Sequence, residues 1–298
     1  MSAKTPAKTL TGENILIVGC GYLGTRVALA AHQSGANVHA TTRSSAKAQQ
    51  LAEKNIRPIL FNWNDRRTLP DLGPFGRILV AVSYDASGPH SRYQSQVGGL
   101  RNLLAVVPDH ADLCYISTTG VYHQANGCWV DENSPAKPTR EGGRAHLDAE
   151  SLLHRHRPNL PWTILRLSGI YGPGRVPRAA DVVAGRPIRS AKDGYLNLIH
   201  VDDAATAVLA TWQNDCDRLY VVSDDQPIVR ANFYREIAGR CRVAPPVFES
   251  PDASSPVAMR SAGNKRVWNR RMKSHLVPRL QFPTYREGLA DVLKDLGK

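Results

Sequence analysis

Through the first 170 residues, short apolar runs alternate with longer stretches of helical period. Asn14–Val18 ends in four consecutive aliphatic residues, and Tyr22–Ser34 follows with Leu23, Val27, Ala30 and Ala31 near one face. The same reading gives strands at Ala36–Thr41, Arg57–Phe61, Arg77–Val82, Asp112–Ser117 and Trp162–Leu167. Between them it gives helices at Ser45–Lys54, Arg92–Val107 and Arg140–His156. Strands of four to eight residues separated by helices predict βαβ units, hence an α/β protein with a doubly wound parallel sheet. Right-handed crossovers restrict how such a sheet can be wired.

Beyond Gly169 the pattern changes. Glycine, proline and arginine accumulate from Gly172 to Pro187, as in a loop-rich stretch. A helix at Asp202–Gln213, a strand at Arg218–Val222 and a helix at Arg230–Arg242 follow. A Pro/Ser-rich connection runs from Pro245 to Pro256, and a last helix is expected over Tyr285–Leu296. The expected organisation is a sheet domain over residues 12–170, with 195–226 returning to it. Residues 171–298 are then mainly a smaller, partly interleaved C-terminal lobe that binds substrate.

The first strand runs directly into Gly19-Cys20-Gly21-Tyr22-Leu23-Gly24, a G-x-G-x-x-G that opens a helix. In a Rossmann-type sheet the first glycine permits the tight turn and the second lets the backbone approach a pyrophosphate. The third allows helix and strand to pack closely. Free N–H groups at the helix start then receive the negative charge. A carboxylate at the end of the second strand would read a ribose 2′-hydroxyl, but the sequence there is Thr42-Arg43-Ser44. An arginine at that place accommodates a 2′-phosphate, so NADP(H) is expected in preference to NAD(H). Val82 and Leu167, at the ends of their strands, complete the expected cofactor contacts.

Composition narrows the classes further. The formal charge of +12 admits an anionic substrate, a phosphorylated cofactor or nucleic acid, but the basic residues are spread along the chain. Nucleic-acid binding would rest on charge alone and is set aside. Five scattered cysteines, none in a C-x-x-C pair, give no zinc site or disulfide framework and fit a reducing compartment. No metal is expected. No apolar run approaches a membrane span, and Met1–Asn14 carries no stretch suited to a signal peptide, so no membrane partner and a cytoplasmic location are expected.

Further segments resemble the extended short-chain dehydrogenase/reductase family, which includes nucleotide-sugar epimerases and dehydratases. They are Val97-Gly98-Gly99-Leu100-Arg101-Asn102-Leu103-Leu104, Ile116-Ser117-Thr118-Thr119-Gly120-Val121-Tyr122, Arg166–Gly174 with its Ile170-Tyr171-Gly172-Pro173-Gly174, and Leu198-Ile199-His200-Val201-Asp202-Asp203-Ala204. Asn264–Asn269 and Pro283–Leu289 resemble the ending of an atypical branch. The resemblance implies an NADP(H)-dependent oxidoreductase or epimerase acting on a polar, anionic small molecule such as a nucleotide sugar.

One departure bears on mechanism. The family's Tyr-x-x-x-Lys pair lies four apart on one helical face, where lysine holds the ribose and lowers the tyrosine's pKa. Alignment puts Gly142 at the tyrosine and His146 at the lysine. Thr118 matches the family's Ser/Thr that hydrogen-bonds the substrate oxygen, and Gln96 stands where the family has asparagine. The candidate catalytic residues are Thr118, Tyr84 and His146, the last also a candidate for the ribose; a solvated histidine is the plain alternative. Arg166 and Arg175 could clamp an anionic substrate, or pair with Asp131, Glu132 or Asp181. The missing pair also leaves open a non-catalytic, cofactor-binding sensor or partner module. The resemblance implies a homodimer through the helices at 92–107 and 140–156, although Arg101, Arg144, Arg155 and Arg157 on their outer faces would repel.

Overall fold

Residues 8–250 and 263–294 are described by a computed structural model. Parts of the expected 245–256 connection and the end of the expected last helix at Leu296 lie outside the described residues. Seven strands form one all-parallel sheet: β1 (Asn14–Val18), β2 (Asn37–Thr42), β3 (Arg57–Leu60), β4 (Arg77–Val80), β5 (Asp112–Thr118), β7 (Trp162–Leu167) and β12 (Leu219–Val222). Their order is β12-β7-β5-β4-β1-β2-β3. This is the expected α/β, Rossmann-type doubly wound sheet, with α1 (Tyr22–Gln33), α2 (Ser45–Ala52), α3 (Gly99–Leu104), α4 (Glu141–His156) and α6 (Val201–Gln213) on its faces.

The two faces follow from alternation within each strand. Ile15, Ile17, Leu79, Cys114, Leu165 and Leu167 point to one apolar cluster, shared with Val27 and Ala31 of α1 and Val208 and Trp212 of α6. Leu16, Val18, Ile78, Val80, Leu113 and Ile164 point to the other, shared with Leu100 and Leu103 of α3 and Leu152 and Leu153 of α4. Each such aliphatic side chain contributes about 1.5–3 kcal/mol on burial. Because both faces are covered, the strands read as continuous apolar runs.

The expected helix at 92–107 is not regular. Gln94–Gly98 forms a π-helical turn that leads into α3. A Cβ at Gly99 would come within 2.5 Å of the Trp63 ring, so this glycine lets the helix lie directly on an indole. The wider turn also carries the Gln96 side chain inward, where it is 3% exposed. Arg157 is a further correction. Rather than facing outward, it is 2% exposed and donates to the Pro108, Asp109 and Ala111 carbonyls.

Pairs of very short strands build the rest: β6 (Cys128–Val130) beside β15 (Lys265–Val267), β8 (Gly169–Tyr171) beside β11 (Leu198–His200), β9 (Ile188–Arg189) beside β14 (Phe248–Glu249), and β10 (Tyr195–Leu196) against β13 (Ile228–Val229). A separate apolar cluster joins Tyr171 and Ile188 to α5 (Ala179–Val183), to α7 (Arg230–Cys241) through Phe233 and Ile237, and to the last helix, Tyr285–Val292. The segment after β15 then goes back to the sheet. Met272, Leu276 and Leu280, around the short helix Arg270–His275, are buried in the α1/α6 cluster.

Candidate functional site

The strand order reverses between β1 and β4, and at such a switch point a crevice opens at the carboxyl ends of the strands. Here it holds a cavity of about 220 Å³, lined by Gly19, Cys20 and Gly21 after β1, Thr42 and Arg43 at the tip of β2, and Val82 and Asp85 after β4. Phe61, Trp63 and Ser95 line it as well.

The glycine loop has the shape that its sequence demands. Gly19 has φ +95°, and a Cβ there would sit 2.7 Å from Ala81 and Val82 backbone atoms. A Cβ on Gly24 would overlap the Gly19 carbonyl oxygen. Gly21 differs, because a Cβ there would meet nothing within 4 Å. The open side is what a pyrophosphate needs to approach the backbone. The Gly19 N–H donates to Thr41 Oγ1 at 3.2 Å, which ties the loop to β2. α1 starts after Gly21 without a side-chain cap, so its first N–H groups have no partner within the helix. The residues present fit a dinucleotide.

Not every expected contact reaches this cavity. Leu23 and Leu167 are buried in the apolar core. Ser44 caps α2, its hydroxyl accepting from Lys47 N–H at 3.3 Å. The Tyr22 hydroxyl donates to the Pro173 carbonyl at 3.1 Å, and Arg175 lies over its ring. Arg43 donates through Nη2 to Asp85 Oδ2 at 3.0 Å. Hydrogen bonds from Ser87 and then Arg43 hold the Asp85 carboxyl down at about 2.

A second, wider cavity of about 540 Å³ lies at the end of β5 and the start of α4. Thr118, Gly142, His146, Arg92, Arg140 and Arg144 line it, with Glu141 its one carboxylate among the described residues. Thr118 Oγ1 accepts from Gly120 N–H at 3.0 Å. His146 is not a solvated ring. Nδ1 lies 3.1 Å from the Tyr115 hydroxyl and Nε2 3.2 Å from the Gln96 amide nitrogen. With the amide donating to Nε2, the ring proton sits on Nδ1, a tautomer assigned from the network. Burial, and then the charge of Arg92, lowers the imidazole to about 4, so the ring is neutral at pH 7.

Tyr84 lines neither cavity. Its ring carries the Arg92 guanidinium, 4.2 Å from the centroid. Arg166 is no substrate clamp and pairs with none of the three acids considered for it. Its Nε and Nη2 donate to Glu150 at 3.0 and 2.7 Å, and its Nη1 to the Tyr122 hydroxyl at 2.9 Å. Asp181 pairs instead with Arg178 and Arg186.

Sequence reading missed Phe61, Trp63 and Asp85 in the first cavity, and Arg92, Arg140 and Arg144 in the second. Arg140 and Arg144 had one available signal, since they stand at the start of the helix carrying Gly142 and His146. Lys265 was also missed. It is 8% exposed, donates to the Tyr122 carbonyl at 3.2 Å, and is lowered to about 8 by burial and then Arg140.

Comparison with known proteins agrees with this geometry. Residues 15–223 match the model of the NAD dependent epimerase/dehydratase family. Among solved structures, a functionally unknown conserved protein from Silicibacter pomeroyi is 29% identical, with TM-score 0.77 over 96% of this chain and 100% of that one. A protein assigned as an NAD-dependent epimerase/dehydratase from Methylobacillus flagellatus is 28% identical, with TM-score 0.76 over 97% and 100%. The dTDP-glucose 4,6-dehydratase of Bacillus anthracis, solved with NAD, is 16% identical with TM-score 0.80 over 95% and 96%, and shares the fold. No curated protein sequence matches the chain.

Proposed function

The chain belongs to the NAD dependent epimerase/dehydratase family, and from that premise we propose that it is an NADP(H)-dependent oxidoreductase or epimerase acting on a polar, anionic small molecule. A nicotinamide cofactor and an NAD(P)-dependent, epimerase/dehydratase-like enzyme follow from the family itself. The choice of NADP(H) and of an anionic substrate is the proposal.

The observation that carries it is one cavity lined by both the open Gly21 backbone and the Arg43 side chain, with no acid on the β2 tip. The α1 amides would hold the pyrophosphate, and Arg43 the 2′-phosphate. When bound, the cofactor supplies or accepts a hydride. Thr118 would hydrogen-bond the substrate oxygen, and the basic walls of the second cavity would draw in a negatively charged substrate. His146, neutral and held between Tyr115 and Gln96, would orient groups in the second cavity rather than carry a proton at neutral pH.

Calorimetric titration of the full chain with NADPH and NADH tests the cofactor reading. The expected result is saturable binding, tighter for NADPH. Gly21→Val should fold normally, because its side is open, yet lose about tenfold or more in affinity. Failure of either dinucleotide to bind folded protein would overturn the reading. Nicotinamide absorbance over a panel of nucleotide sugars and oxo acids then tests turnover.

A further inference from the structure

The position aligned with the family's tyrosine is Gly142, yet the space beside it is not empty. A Cβ built there has as its three nearest atoms Cδ, Nε and Cζ of Arg92, each 3.8 Å away. Arg92 comes from another part of the chain, just before the π-helical turn, and is held from two sides. Its guanidinium lies 4.2 Å over the Tyr84 ring, and Nε is 3.6 Å from Glu141 Oε2. Nε itself is buried without a hydrogen bond. The side chain is 30% exposed and faces the cavity that also holds Thr118, Arg140 and Arg144.

We propose that Arg92 is the substrate-anion residue of this enzyme: its guanidinium, filling the volume that a side chain at 142 would claim, binds the carboxylate or phosphate oxygens of a ligand in the second cavity. The inference rests on the anionic-substrate reading above and gives it a residue. A Cβ alone at 142 would only touch Arg92, but a long side chain continuing past it on that side would displace the cation, so a small residue at 142 is then a requirement for ligand binding. Tyr84 is a positioning residue. It holds the guanidinium by a cation–π contact and needs no access to substrate. A planar guanidinium offers paired N–H donors that match two oxygens of one carboxylate or phosphate, which a lysine cannot reproduce. Against one exposed carboxylate, Glu141, the cavity sets three guanidinium groups, so its local field favours an anion.

The test is calorimetric titration of the NADPH-saturated full chain with oxalate, inorganic phosphate and uridine diphosphate at constant ionic strength. Oxalate separates carboxylate from phosphate recognition. Wild-type protein is expected to bind at least one of the three. Arg92→Gln should weaken that binding roughly tenfold or more, and Arg92→Lys should recover only part of it. NADPH affinity should stay within about twofold of wild type, since Arg92 is no part of the first cavity.

Gly142→Leu provides the second arm. It leaves Arg92 in the sequence and puts a better helix former than glycine in the first turn of α4, so its melting temperature should hold. It should nevertheless lose the anion as Arg92→Gln does. If Arg92→Gln fails to fold, Gly142→Leu decides alone. Anion binding within twofold of wild type in a folded variant of either kind overturns the proposal, as does wild-type protein that binds NADPH but none of the three anions. Loss of NADPH binding by wild type would instead strike the cofactor reading.

Discussion

Arg43 would meet a cofactor phosphate in competition with a partner, because one nitrogen of its guanidinium donates to Asp85 across the rim of the dinucleotide cavity. The Asp85 carboxyl, held at about 2 by Ser87 and then Arg43, stays ionised throughout any practical assay range. Acidification therefore does not release the arginine; only the ligand or a substitution does. Both side chains are exposed, so solvent screens the pair and it competes only weakly with a ligand. Asp85→Asn should accordingly raise NADPH affinity about two- to fivefold and leave NADH nearly unchanged, by calorimetry. An NADPH-to-NADH preference unmoved by this change would show that Asp85 does not compete for Arg43. At this scale the sequence was legible where chemistry is tied to spacing: Gly19, Gly21, Gly24 and Arg43 all sit where the loop and the β2 tip require them. Asp85 was not legible. It lies 42 residues from its partner, on a loop whose path no periodicity encodes.

Glu150 and Arg166 show what joins one element to the next. α4 carries Glu150 on its inner face, β7 carries Arg166, and β5 adds Ser117, whose hydroxyl donates to Glu150 Oε1 at 2.5 Å. Glu150 is 3% and Arg166 6% exposed, so removing one charge strands the other in the interior. Glu150→Ala should cost about 3–5 kcal/mol in urea unfolding. Arg166→Met combined with Glu150→Met should recover much of that loss, because a buried pair replaced by apolar groups is often close to neutral. A Glu150→Ala midpoint within error of wild type would mean that the pair is more hydrated than its burial indicates. The strands and long helices could be read because alternation and helical period repeat over enough residues. The π-helical turn could not, since Gly98-Gly99 fits a regular helix until the Trp63 ring is known to lie on it. The two- and three-residue strands carry no period at all. Arg166 stayed open between substrate clamp and ion-pair partner for a related reason: its partner's identity depends on which helix covers β7, which is a tertiary fact.

At the scale of the molecule, the chain crosses repeatedly between the sheet and the cluster built on α5 and α7. α6 and β12 follow the first excursion, and Met272, Leu276 and Leu280 rejoin the sheet core after the second. The glycine loop itself spans the boundary, through the Tyr22 hydroxyl on Pro173 and Arg175 over the Tyr22 ring. A ligand on that loop should therefore stabilise everything at once. With NADPH at a hundred times its Kd, linkage adds about 2.7 kcal/mol. For a chain of this size that corresponds to a rise in Tm of roughly 4 °C. Trp162 lies in the sheet, while Trp129 and Trp268 stack on each other at β6 and β15, ring centroids 5.0 Å apart. In each of two proteins, one keeping only Trp162 and the other only Trp129 and Trp268 of the five tryptophans, the fluorescence melt should coincide with the far-UV melt and shift with it on adding NADPH. Separate transitions, with only the Trp162 signal moving, would mean that the crossings do not couple the parts. A cofactor could then not organise the second cavity through the fold, and any link between the two sites would have to run through direct contact with substrate.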